Sequence, residues 1–289
     1  MAGVIGHVTP RRQASWDWRA AGNFMGGGSG TGLLLVAAIA AGPSYPLQAV
    51  LGMVLVCAGL LCVWAEIGRP WRAFNVFRHA HTSWMTREAL LAPLLLTAGI
   101  SAAIFGGRGL AWMTAALALA YLYCQARMLQ AGRGIPAWRH PYVIPLMLIT
   151  GCTEGAGWWV MAQTLLNMQT MPGWVPWLLA NLLVARILSD ALYRAKLART
   201  GAPRSALAVL NDFARTLKAL DIAALALIVA SALAPSVGAV AVAGLLAVLA
   251  GWALKYTIVV RAAFNQGFAL LRLPDRGSGA TGPAVKPGW

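Results

Sequence analysis

The chain is poor in charge, and acidic charge is what it lacks most: of 289 residues only 8 are Asp or Glu, against 23 Lys or Arg. Charged residues make up 11% of the sequence while hydrophobic ones make up 59%, and the mean hydropathy is +0.66. A water-facing surface cannot be covered with so few charges, which excludes an ordinary soluble domain. Histidine and cysteine are scarce as well, with four of each. Cys57, Cys62, Cys124 and Cys152 lie inside apolar stretches without CxxC spacing, which excludes a disulfide framework and an iron–sulfur cluster of the chain's own and leaves small apolar core residues. His7, His79, His81 and His140 all fall between apolar runs, so the stacked intramembrane histidine pairs that hold b-type haem are missing. No zinc-spaced cluster, Ser/His/Asp arrangement or nucleotide loop is present, and no residue is assigned as catalytic in its own right.

Long apolar runs are what the chain has instead. A helical span needs about twenty mostly apolar residues, and eight segments qualify: 20–41, 46–66, 88–106, 109–127, 141–163, 174–194, 219–235 and 237–260. The expected fold is an all-α membrane bundle of about eight transmembrane helices over residues 1–264, followed by a tail over 265–289. Roughly thirty residues, with Arg11, Arg12, Asp17 and Arg19 among them, precede the strongest part of the first run, a pattern unlike a cleaved signal peptide. The run from Gly26 to Gly32 lacks the Lys-Ser/Thr ending and the preceding strand of a phosphate loop; its small residues at four-residue spacing suit close helix packing in lipid. No inverted repeat of the kind found in many secondary transporters is visible.

The basic residues are sorted by side. Of the 23 Lys and Arg, 21 fall in the N-terminal segment, in alternate loops or from Lys255 onward, with Arg108 opposite and Arg186 inside a span. The positive-inside rule places that basic side, and both termini, in the cytoplasm of a multi-pass inner-membrane protein; a basic docking face for an acidic subunit produces the same asymmetry. Nucleic-acid binding is disfavoured because the charge sits in short gaps between spans.

Ionisable groups inside lipid are costly and therefore mark function. Glu66 closes the second span and Glu88 opens the third, and the loop between them carries Arg69, Arg72, Arg78, His79, His81, Trp84 and Arg87. Donors, titratable groups and aromatic faces at a membrane boundary are what a quinone headgroup needs. The same arginines also serve as lipid-phosphate anchors, with the glutamates as their interfacial ion-pair partners. Arg186 and Asp190, four apart, share a helix face on which they can neutralise each other or relay protons. Glu154 has no cation near it in sequence and is a candidate mid-membrane titrating acid. Glu154, Arg186 and Asp190 are thus the proton-transfer candidates, and in a competing reading they line the path of a transporter or proton-conducting channel.

The stretch Glu66-Ile67-Gly68-Arg69-Pro70-Trp71-Arg72-Ala73-Phe74-Asn75, followed by Thr82-Ser83-Trp84-Met85-Thr86-Arg87-Glu88, resembles the signature of the DmsC/NrfD-type membrane anchors of molybdopterin oxidoreductases. The resemblance implies a haem-free, metal-free anchor that exchanges electrons between membrane quinone (menaquinone or ubiquinone) and an iron–sulfur subunit. That subunit holds 4Fe-4S clusters, docks on the basic face, and is wired to a catalytic molybdenum or tungsten subunit with a molybdopterin cofactor. It implicates the positions of Glu66 and Glu88 at the quinone site, and with the donors and aromatic face of the loop the candidate quinone-binding set is Glu66, Arg69, His79, His81, Trp84 and Glu88. Where the sulfoxide-reductase anchor has a histidine this chain has Glu66, so Glu88 is the residue that carries over directly. The run Gln130 to Arg139 with Glu154-Gly155-Ala156-Gly157 is similar to anchors of phenylacetyl-CoA:acceptor oxidoreductase, a subfamily for which a cytoplasmic catalytic module is fitting.

Overall fold

The structure, a computed structural model, describes residues 6–40, 42, 44–67, 75–76, 82–166, 171–267 and the short segments 273–274, 281–282 and 285–287. Nine α-helices are present among the described residues: α1 (Trp18–Ala40), α2 (Tyr45–Glu66), α3 (Trp84–Phe105), α4 (Arg108–Gln130), the single turn α5 (Pro136–Arg139), α6 (Val143–Leu165), α7 (Trp174–Arg199), α8 (Arg204–Leu233) and α9 (Val237–Tyr256). A five-residue π-turn, Thr257–Arg261, ends α9, and short strand pairings join Gly6–Val8 to Val285–Pro287 and Leu273–Pro274 to Thr281–Gly282. Eight of the helices are long and apolar enough to cross a membrane, the architecture of a multi-pass membrane protein.

The outer surface agrees with that solvent. Leu47, Val54, Leu94, Ile104, Leu188, Val229, Val242 and Leu249 are exposed on the helix flanks, an apolar coat that water would not tolerate at this extent. Trp18 and Trp64 are exposed at one end of the bundle and Trp112, Trp174 and Trp177 at the other, the places where amphipathic indoles meet headgroups.

The first helix is the hub. It packs against α2, α4, α6 and α9, which divides the bundle into one group of α1 to α4 and another of α6 to α9 meeting along α1 and α6. Its glycines permit this. A methyl on Gly26 would lie 2.7 Å from the backbone nitrogen of Gly59 in α2, so the two helices touch backbone to backbone. A methyl on Gly157 would come within 2.6 Å of the Gly244 carbonyl, which draws α6 against α9 in the same way. The packing role expected for Gly26 to Gly32 is what the helix displays.

Several boundaries run past the expected spans, α7 for instance ending at Arg199 rather than 194, and two of them have a clear local cause. The third helix starts at Trp84 rather than 88, because Ser83 accepts a hydrogen bond from the Thr86 backbone N–H and caps the extra turn. The eighth starts at Arg204 rather than 219. Its first four turns carry Arg204, Asn211, Asp212, Arg215 and Lys218, which lower the hydropathy, but Ala206, Leu210, Phe213, Ala214 and Leu217 recur at helical spacing and are buried. The helix therefore continues past the apolar span as an amphipathic extension.

The end bearing the α2–α3 and α7–α8 connections is the basic end. Here the N-terminal arm runs beside the segment after α9, with Gln13 N–H donating to Ala263 O at 2.8 Å and Asn265 N–H to Arg11 O at 2.9 Å. The arm also brings Trp16 into a stack with Trp138 of α5 at 4.8 Å between centroids. Trp138 Nε1 donates to Ile258 O at 2.8 Å and Tyr193 Oη to Ala137 O at 2.8 Å. Arm, α5 and π-turn together close this end of the bundle.

Candidate functional site

Glu88 lies in the second turn of α3 and faces inward, 4% exposed. Two neutral amides reach it: Gln125 Nε2 of α4 donates to Glu88 Oε1 at 2.9 Å and Asn23 Nδ2 of α1 donates to the same oxygen at 3.2 Å. Gln125 Nε2 also donates to the Asn23 backbone carbonyl at 3.1 Å, which ties α4 to α1 beside the acid. A methyl on Gly27 would run into the Gln125 amide, so the absence of a side chain there makes room for it. The Tyr121 ring, fully buried in α4, stands beside the carboxylate. Asn23 Oδ1 and Gln125 Oε1 have no hydrogen-bond partner, while the Tyr121 hydroxyl lies close enough to Glu88 to interact with its carboxylate. Buried polar atoms left open in this way are rare and mark a place for a ligand with its own donors and acceptors. The two open acceptors and the neighbouring Tyr121 hydroxyl are groups that can meet a headgroup presenting hydroxyls in one redox state and carbonyls in the other.

Trp84, one turn earlier on α3, is held between two guanidinium groups. Arg87 lies 4.1 Å and Arg127 of α4 4.7 Å from its ring centroid, with Tyr123 edge-on at 5.8 Å. Glu66 sits half-buried at the last turn of α2, near Arg19 and Asp17. Arg19 Nη1 donates to Ala65 O at 3.0 Å and its guanidinium pairs with Asp17 at 2.9 Å. That guanidinium holds the Asp17 carboxyl below the usual carboxylate range. Glu66, Trp84 and Glu88 are thus all at the basic end, Glu66 against α1 and Trp84 and Glu88 between α3 and α4. Arg69, His79 and His81 lie outside the described residues.

The remaining candidates are placed in the second helix group, and their pairings differ from those expected. Glu154, with no exposed surface, has a cation after all: Lys255 Nζ of α9 donates to Glu154 Oε2 at 2.6 Å, and Ser29 Oγ of α1 donates to the same oxygen at 2.8 Å. Lys255 is therefore not part of the basic surface to which its position in sequence assigned it; it is fully buried. Trp252 Nε1 supports the arrangement by donating to Ser29 Oγ at 2.8 Å. Arg186 does not pair with Asp190. Its guanidinium forms a two-pronged ion pair with Asp221 of α8 and donates to Ala247 O of α9 at 2.8 Å. Asp190 pairs instead with Arg194 at 2.9 Å, and Arg194 Nη1 continues to Asn211 Oδ1 at 3.0 Å. The reason is geometric: a side chain aimed at the bundle axis meets facing helices first, and the acid on α8 reaches the guanidinium in a bidentate geometry unavailable one turn along its own helix.

Asn23, Tyr121, Gln125, Asp221 and Lys255 were not singled out by sequence reasoning. For the two amides a signal existed, since Asn and Gln inside apolar runs seek partners across helices. Among the described residues no three metal-ligating side chains converge, and the cysteines are unpaired. No family model matches the chain, and no curated protein matches it.

Proposed function

We propose that the chain is a quinone-reactive membrane anchor of the DmsC/NrfD type, whose partners are an iron–sulfur subunit and a molybdopterin subunit. The observation that carries this reading is the Glu88 site: a buried acid held by two neutral amide donors, with the open acceptor atoms Asn23 Oδ1 and Gln125 Oε1 and the buried Tyr121 hydroxyl beside it. The resemblance of residues 66–88 to the anchor signature supports it independently.

In this reading a quinone supplies a two-electron, two-proton redox couple, and the chain's own side chains bind and handle protons. Tyr121 Oη donates to a headgroup oxygen while the amide oxygens of Asn23 and Gln125 accept from its hydroxyls. Glu88 accepts or releases a proton at Oε1 or Oε2 as the headgroup changes state, and its two amide donors keep it oriented in either form. Trp84, clamped between Arg87 and Arg127, forms an aromatic wall near the basic end. Glu66, with His79 or His81, shares the handling of protons with Glu88, and Arg69 with Trp84 helps hold the headgroup. The basic end is cytoplasmic under the positive-inside rule and serves as the docking surface for the iron–sulfur subunit.

Replacing Glu88 by Gln keeps shape and hydrogen bonding but removes the titrating group. Turnover of the intact complex with a quinone analogue is expected to fall by a factor on the order of 100 or more, while turnover with a soluble dye that takes electrons directly from the partner subunits is unchanged. Equal quinone activity in the variant and the parent would overturn the reading.

A further inference from the structure

The seam between α7 and α8 is not closed at the basic end. Ala191 of α7 and Ala214 of α8 bring only methyl groups to it, and a cleft of about 100 Å³ remains, walled by Ile187 and Leu217 and bordered by Asp190, Arg194 and Lys218. Its mouth is on the flank of the bundle, since Ala191 and Lys218 are exposed and so are the neighbouring Leu188, Leu192 and Ile222 of the apolar coat. The charges at this mouth are unevenly matched. Arg194 Nε donates to Asp190 Oδ2 at 2.9 Å and Nη1 to Asn211 Oδ1 at 3.0 Å, which leaves Nη2 without a partner among the described residues. The Lys218 ammonium has no hydrogen-bond or ion-pair partner among the described residues. One acid against two cations gives the cleft a surplus positive charge. Its depth is set by α7: Arg194 stands about 30 Å along the helix from Trp174, at 1.5 Å per residue, which is the thickness of a bilayer's hydrocarbon core. With the exposed Trp174 indole at one headgroup layer, the Arg194 guanidinium is level with the other.

We propose that this cleft is a binding site for an anionic phospholipid of the phosphatidylglycerol class. The lipid's phosphodiester accepts hydrogen bonds from Arg194 Nη2 and Lys218 Nζ, and the first part of an acyl chain lies against Ile187, Ala191, Ala214 and Leu217. Basic recesses between membrane helices at headgroup level suit such ligands, because charge and apolar surface are offered side by side. The single negative charge of the phosphodiester matches the surplus positive charge of the cleft. A zwitterionic lipid brings an ammonium of its own to a place that already has two cations. A soluble anion has nothing to set against the apolar walls. Asp190 and Asn211 hold the guanidinium through Nε and Nη1, so its planar fork presents Nη2 in a fixed position instead of sweeping through solvent. Lys218 lies along the cleft with its methylene stem and keeps its ammonium at the polar boundary, the ordinary behaviour of a lysine at a membrane surface. The site is independent of the quinone reading, since none of its residues belongs to the Glu88 site.

The test is native mass spectrometry of the full chain in detergent, titrated in parallel with phosphatidylglycerol and with phosphatidylcholine of the same acyl chains. The parent protein is expected to take up phosphatidylglycerol in a saturable first step, at concentrations where phosphatidylcholine adds without saturation. Lys218→Gln is expected to weaken that step about fivefold, the loss that follows from one juxtamembrane cation. Ala191→Phe, which fills the cleft at constant charge, is expected to abolish it. Arg199→Gln removes an equal charge from the same end of α7 outside the cleft and is expected to leave it unchanged. All three positions are exposed, so none of the variants disturbs the core. A step that survives Ala191→Phe, or that Arg199→Gln weakens as much as Lys218→Gln does, reports general attraction to the basic end and overturns the site. Equal saturable uptake of the two lipids overturns the choice of an anionic one. Displacement of the lipid by inorganic phosphate, at an ionic strength matched with chloride, would assign the cleft to a soluble anion and overturn the proposal as well.

Discussion

At the scale of single residues, the molecule separates two kinds of buried acid. Glu88 is surrounded by amides and a phenol, whereas Glu154 and Asp221 each have a full cation in hydrogen-bond contact. The paired acids hold structure together in a way that is asymmetric to mutation. Removing one member strands the other in a medium that cannot solvate it, whereas removing both leaves a neutral core. Arg186→Met is therefore expected to destabilise the chain by about 3–5 kcal/mol, and Arg186→Met with Asp221→Leu to recover most of that loss. Thermal unfolding of the detergent-solubilised variants, run side by side, measures both. A double variant no more stable than the single would mean that the pair contributes more than charge compensation.

The same contrast shows what the sequence could reveal. Glu88 was identifiable because an acid at the start of an apolar run stands out by itself. The partners of Arg186 and Glu154 were not, because Asp221 is 35 residues from Arg186 and Lys255 is 101 from Glu154. Local spacing favoured Asp190 and offered Glu154 nothing, and only the packing of α7 on α8 and of α6 on α9 decides the matter.

At the scale of elements, hydropathy located all eight spans but misplaced the start of α8, where charge on the solvent face masked an apolar stripe. Helix α1 carries the packing of the whole through its glycines, and it tolerates bulk poorly. Gly59→Leu, which would push α2 off α1 at Asn23 and Gly27, is expected to cost about 1–3 kcal/mol and to loosen the Asn23 contact with Glu88. Loss of melting temperature together with weaker quinone-analogue binding would register both effects. The connection before α6 carries a pH-sensitive element. Burial and the nearby Lys196 ammonium hold the His140 imidazole below its ordinary value. The unfolded chain then binds the proton more readily than the folded one, so this contribution to stability is present above the unfolded value near 6.5 and is lost as pH falls below it. Melting temperature is expected to decline through that window in the parent protein and to decline less in His140→Asn.

At the scale of the whole molecule, the two helix groups divide the chemistry. The α1 to α4 group holds Glu88 with its amide partners and the α6 to α9 group the ion pairs, and α1 serves both, with Asn23 and Gly27 turned to one and Gly28 and Ser29 to the other. The basic end lies next to both. If that end receives an acidic partner, association depends on charge and weakens as ions screen it. Raising ionic strength during purification is expected to strip the iron–sulfur subunit from the membrane chain, read as its loss from the co-purified complex, whereas a change of detergent at low salt retains it.

The bond between Glu154 and Lys255 also bears on how the protein is made. At a synthesis rate of about 5–20 residues per second, the acid on α6 precedes its cation by a time on the order of 5–20 s. Through that interval the newly inserted α6 carries an acid without its ion-pair partner, with Ser29 of α1 already made and able to donate a hydrogen bond to it. A ribosome that stops short of α9 therefore releases a product in which Glu154 sits inside the bilayer without the lysine that pairs with it in the full chain.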